Sequence, residues 1–145
     1  FFMAPDAEGK LYLTVVSDHS DRRLESVSVS KAKQICPKII GSEFWALDDV
    51  REHWDDLRLI CRARQGDVTP YQDAPVGSLL NWSELLELAR ADAPCAGPVA
   101  FCSGTVPVED GNIRYADAWD IRLEDPVMGR AIEHRYEVIR LEDRN

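Results

Sequence analysis

None of the four cysteines, Cys36, Cys61, Cys95 and Cys102, forms a Cys-x-x-Cys pair, and His19, His53 and His134 stand singly. That spacing argues against a structural zinc site. Basic residues are in the minority, 17 Lys and Arg against 26 Asp and Glu, for a net charge of −9. A chain so acidic lacks the surface that grips a nucleic-acid backbone or an anionic membrane. No apolar run approaches the roughly 20 residues of a membrane span. There is no glycine-rich phosphate loop, no Gly-x-Ser-x-Gly elbow and no His-Glu-x-x-His pair. Internal repeats and low-complexity segments are absent too. The chain opens Phe1-Phe2-Met3 without the charged segment and longer apolar stretch of a signal peptide. The expectation is a cytoplasmic protein with free thiols, cut or trimmed ahead of Phe1.

What is there suits one domain. At 145 residues, 45% hydrophobic and 30% charged, the chain is long enough for a core of its own over 1–145. Phe1 to Met3 and Leu11 to Val16 read as strands joined by a turn-rich link, the second nearly continuous in apolarity. Ser26 to Ser30 alternates like a strand edge. Asp48 to Trp54 reads as a short helix with Asp49 and Glu52 at capping-box spacing. Leu57 to Arg64 alternates as a strand and Gln65-Gly66-Asp67 signals a hairpin turn. Asn81, with Glu84 three residues later, opens the clearest helix, which Pro94 ends. Val99 to Cys102 is a short strand. Trp119, Ile121 and Leu123 alternate, as do Ile132, His134, Tyr136 and Val138, across a turn at Asp125 to Gly129. The pattern predicts a β-rich α+β domain with short peripheral helices.

The densest chemistry lies in Ser17-Asp18-His19-Ser20-Asp21-Arg22-Arg23-Leu24-Glu25, followed by Lys31 and Lys33. A hard oxygen donor beside fixed cations suits a divalent ion and an anionic substrate. Asp18 is the candidate metal ligand, or else it caps the turn through a backbone N–H. Arg22 offers a planar fork for a carboxylate, and Lys33, or Lys31, a point charge beside developing negative charge. The plainer reading pairs them on the surface with Asp21 or Glu25. Glu25 is a candidate base or a solvent-facing partner of Arg22. His19 is a candidate general base or a structural histidine. Thr105, beside the permissive Gly104, is a candidate hydroxyl donor to a bound acid or part of a plain strand-end turn.

The order of these pieces resembles the C-terminal catalytic domain of the fumarylacetoacetate hydrolase superfamily. Asp18, Ser20, Arg22 and Leu24 stand in register with its Asn-Asp-x-Ser-x-Arg-Asp-Leu-Gln motif, with Ser17, Arg23 and Glu25 departing from it. Lys33 ahead of Cys36-Pro37 resembles the lysine that follows. Ser103-Gly104-Thr105 resembles the core of a later Thr-Gly-Thr segment, and the sequence from Leu123 to Arg130 looks like that of bacterial members without a settled function. The resemblance implies a mixed β-sandwich roll and a homodimer. It implies a magnesium or calcium ion held by the aspartate and an upstream Glu-x-Glu pair. No such pair precedes Asp18, so the expectation is that those ligands, with further strands, lie before Phe1. Implied substrates are β-diketo and 2-oxo acids such as acylpyruvates, cleaved through a metal-stabilised enolate by a hydrolase, decarboxylase or isomerase. Lys33, Arg22, Glu25 and His19 become catalytic candidates, Thr105, Gly104 and Lys31 substrate-binding ones. The departures from the motif favour a rival: a non-catalytic binding or scaffold protein that keeps the fold. A plain dimerisation module is a third reading.

Overall fold

A computed structural model describes residues 1–93 and 97–139. Cys95 and the helix stop expected at Pro94 lie outside the described residues. Among those described, ten strands follow in order: β1 (Phe2–Pro5), β2 (Leu11–Thr14), β3 (Val16–Asp18), β4 (Lys38–Ile40), β5 (Trp45–Ala46), β6 (Arg58–Gln65), β7 (Asp67–Pro75), β8 (Phe101–Cys102), β9 (Ala118–Asp125) and β10 (Arg130–Glu137). Three α-helices accompany them: α1 (Arg22–Glu25), α2 (Val29–Gln34) and α3 (Trp82–Asp92). The fold is a strand-rich α+β arrangement, and every strand pairing recorded is antiparallel. No described helix is long and apolar enough to cross a membrane.

One sheet runs β5-β2-β1-β8 and the other β10-β9-β6-β7. Alternation makes both faces legible. In β9, Trp119, Ile121 and Leu123 are buried while Asp120, Arg122 and Glu124 are less so. Met3 and Leu13, directly paired across β1 and β2, join Ile121, Leu123 and Ile132 in one apolar cluster. Removing such side chains from water is the main favourable contribution to folding. The β6–β7 and β9–β10 turns each place a glycine at positive φ, Gly66 at 76° and Gly129 at 64°, a conformation that L side chains rarely adopt.

Three expectations are corrected. The apolar run from Leu11 breaks at Val15, where the chain leaves the first sheet and begins a separate two-stranded ribbon, β3 with β4. Ser26 to Ser30 is no strand edge: the Ser28 hydroxyl accepts from Lys31 N and starts α2. The stretch from Asp48 forms two 3-10 segments, Leu47–Asp49 and Arg51–Asp56, without a side-chain cap. The capping box expected at Asn81 and Glu84 is present.

The break at Val15 depends on close approach of Gly41. A Cβ there would lie 2.6 Å from Thr14 Oγ1 and 2.9 Å from Val15 Cγ2. Gly41→Ala is expected to cost about 1–2 kcal/mol, the usual penalty for overpacking a buried site. Urea titration measures it, and an unchanged midpoint would show that the ribbon yields freely.

Candidate functional site

The short ribbon sorts the charged run by strand periodicity. Residues two apart on extended chain face the same side. Within β3, Ser17 faces the side opposite Asp18, and His19 follows just past the end of the strand. Asp18 lies directly opposite Lys38 in the β3–β4 register, and the two form an ion pair of 2.8 Å. Helix α2, seated by the buried Ala32, brings Lys33 to the other carboxylate oxygen. Lys38 Nζ also donates to the carbonyls of His19, at 2.7 Å, and Lys33, at 2.6 Å. A single ammonium thus fastens both ends of the excursion that carries α1 and α2.

Asp18 is three-quarters shielded, its side chain 25% exposed. Burial alone would raise its carboxyl pKa, but hydrogen bonds and charge from Lys33 and Lys38 outweigh burial and hold it below the ordinary value. On the other side, Tyr136 of β10 donates its hydroxyl to Ser17 Oγ at 2.8 Å, and Ser17 Oγ lies 3.3 Å from His19 Nε2. The His19 and Tyr136 rings meet edge to face at 5.3 Å. Burial, then the nearby Lys38 and Arg22 charges, lower the His19 pKa despite Asp18. Burial pushes the Tyr136 phenol up to about 12.

The structure therefore joins Asp18 and Lys33 with His19 close by, and separates the rest. Arg22 pairs with Glu25 at 2.6 Å on the exposed face of α1, the plainer arrangement for both. Lys31 is exposed on α2, away from the side that seats Ala32. Thr105 accepts from Gln72 Nε2 at 2.9 Å and, with Val15 and Val16, lines a cavity of about 50 Å³ that Asp18 does not border. Gly104 is exposed beside it. Three participants were missed: Lys38, Ser17 and Tyr136. Lys38 needs the β3–β4 register to be found. The alternation from Ile132 to Val138 puts Tyr136 on a strand, but nothing local says what its hydroxyl meets.

A family model built for proteins of unknown function, DUF2848, matches residues 2–136. The chain belongs to the DUF2848 family. No curated protein and no solved structure matches it. The description of the DUF2848 family assigns no activity.

Those residues do not fit a divalent ion. Magnesium takes six ligands and calcium six to eight oxygens. No group of three His, Cys, Asp or Glu among the described residues is placed to hold a metal. Both Asp18 oxygens already meet an ammonium.

Proposed function

We propose that the protein acts on a small anionic 2-oxo or β-diketo acid, as a hydrolase or lyase with the fumarylacetoacetate hydrolase-like roll that its motifs resemble. The observation that carries this reading is the Lys33–Asp18–Lys38 cluster in an otherwise acidic chain. From Asp18 to Lys38 there are five basic residues and three acidic ones, Asp18, Asp21 and Glu25, a small local excess of positive charge in a chain that carries −9 overall. That local reversal of sign draws anions to the ribbon. Lys33 gives one of its N–H groups to Asp18 and keeps two for a ligand among the described residues. Cleavage of a β-diketo acid leaves charge on an enolate oxygen, and a fixed ammonium lowers the cost of that charge. Magnesium or calcium, which the resemblance implies, takes no step here, because the described residues do not fit it. A cytoplasmic homodimer belongs to the same reading; the free thiols of Cys36, Cys61 and Cys102 among the described residues suit a reducing compartment.

One observation favours the rival, a non-catalytic binding or scaffold protein: neither the cavity lined by Val15, Val16 and Thr105 nor the one lined by Ala63, Thr69 and Arg114 is bordered by Asp18 or Lys33. Calorimetric titration with oxalate, and with acetylpyruvate monitored for turnover, separates the two. Lys33→Ala is expected to weaken oxalate binding about tenfold, the effect of one charge-assisted hydrogen bond. Binding without turnover supports the rival. No heat with the unmodified protein, or equal affinity in the variant, removes the anion site.

A further inference from the structure

We propose that Ser17 is a nucleophile, with His19 as its base and Tyr136 as the residue that positions it. A serine hydroxyl has one proton and two lone pairs. Tyr136 donates to Oγ at 2.8 Å and so occupies a lone pair. That fixes the hydroxyl rotor and leaves its own proton for the second neighbour, His19 Nε2 at 3.3 Å. A nucleophile within reach of a base, with a third group holding the geometry, is the general arrangement for activating a hydroxyl, and the base distance is often long before a ligand binds.

The three side chains converge for structural reasons. Ser17 lies in β3 and His19 just past its end, where the imidazole reaches Ser17 Oγ and packs edge to face on Tyr136. Tyr136 keeps its proton because burial holds the phenol at about 12, so it remains a donor throughout. The His19 ring meets Tyr136 edge to face at 5.3 Å, and its Nε2 lies 3.3 Å from Ser17 Oγ. Ser17, Asp18 and His19 are each half-buried, which leaves the hydroxyl shielded without being sealed.

The step balances. Ser17 Oγ bonds to an electrophilic carbonyl carbon while its proton passes to His19 Nε2. For a β-diketo acid the carbon–carbon bond then breaks, its electron pair leaves as the enolate, and His19 returns the proton to that carbon. Water hydrolyses the remaining ester and restores Ser17. This last use rests on the function proposed above; the nucleophile itself does not.

The test needs no substrate. The protein is incubated with an alkyl fluorophosphonate, which Ser17 would attack with formation of an O–P bond, loss of fluoride and transfer of the proton to His19. Intact-mass and peptide mass spectrometry are expected to show a single adduct on Ser17. It should vanish in Ser17→Ala and form at least tenfold more slowly in His19→Gln. Should Ser17→Ala fail to fold by circular dichroism, the His19→Gln rate carries the test. An unmodified protein, an adduct elsewhere, or an unchanged rate in His19→Gln overturns the proposal. Oxalate titration is unaffected by that result, so failure of the nucleophile and failure of the anion site are read separately.

Discussion

Replacing Asp125 with alanine is expected to destabilise the protein by about 2–4 kcal/mol, somewhat less than the cost of breaking a fully buried charged pair because the Arg130 side chain is 31% exposed. Asp125 is fully buried at the end of β9. It accepts from His53 Nε2 at 3.0 Å, from the backbone N–H of Met128 at 3.0 Å and from Arg130 Nε at 3.2 Å. One carboxylate therefore closes the β9–β10 turn and ties it to the 3-10 segment carrying His53. Arg130 lies over the Trp45 ring, 4.5 Å from its centroid, and its Nη2 is buried without a partner among the described residues. Without Asp125 the guanidinium would lose its nearest counter-charge, with Asp49 at 3.9 Å the one left among the described residues. A loss of this size should lower the melting temperature by roughly 10 °C in a domain of this length. Asp125→Asn, which keeps an acceptor but not the charge, should lose less. The pH dependence has a definite sign. Burial would raise the Asp125 pKa, but bonds from Met128, His53 and Arg130 prevail and hold it below its ordinary 3.8. Its stabilisation is thus complete above that value and is lost as pH falls through the lower folded pKa. The stability gap between wild type and Asp125→Asn should therefore narrow below about pH 4. Thermal melts from pH 2 to 7 measure it, and a gap constant across that range would remove the charge from the account.

How much of this was legible in the sequence depended on whether the signal was local. The β9–β10 hairpin, β6 and α3 were legible because alternation and the Asn81–Glu84 box are written in consecutive residues. Ser26 to Ser30 misled because its valines alternate with serines, a pattern shared by a strand edge and by a helix start. Ser28 used its oxygen as a cap, and α2 buries only Ala32, so no helical apolar face announced it. Asp125 was assigned to the right turn, yet its burial depends on His53, 72 residues away in the chain. The candidate site divides the same way. Asp18 and Lys33 stand out in the charged run itself, though nothing local says that they pair with each other. Arg22 and Glu25, three apart on a helix, satisfied each other. Thr105 was drawn to Gln72 by the packing of β7, which no short-range pattern disclosed.

Lys38 is the clearest case of a role invisible from sequence, and Lys38→Met should show it. Methionine has a stem of similar length and no donor. The variant loses the ion pair to Asp18 and both carbonyl bonds, to His19 and Lys33. Bonds to a charged group contribute about 1.5–3 kcal/mol each when sheltered, but this ammonium side chain is 28% exposed, which discounts them. A total loss of about 2 kcal/mol is expected. Lys33→Met, which loses one pair at a side chain 41% exposed, should cost under about 1 kcal/mol. The loss in Lys38→Met should also be local. Ile39 and Ser17 pair across the ribbon, so hydrogen exchange should speed up for the amides from Ser17 to Ile40 while the β6–β9 amides keep their protection. Equal costs for the two lysines would mean that only the charge on Asp18 matters. The larger cost for Lys38, with faster exchange confined to the ribbon, would mean that one ammonium holds Asp18, His19 and α2 in a single arrangement. That arrangement is the one on which both the anion site and the Ser17–His19 geometry depend.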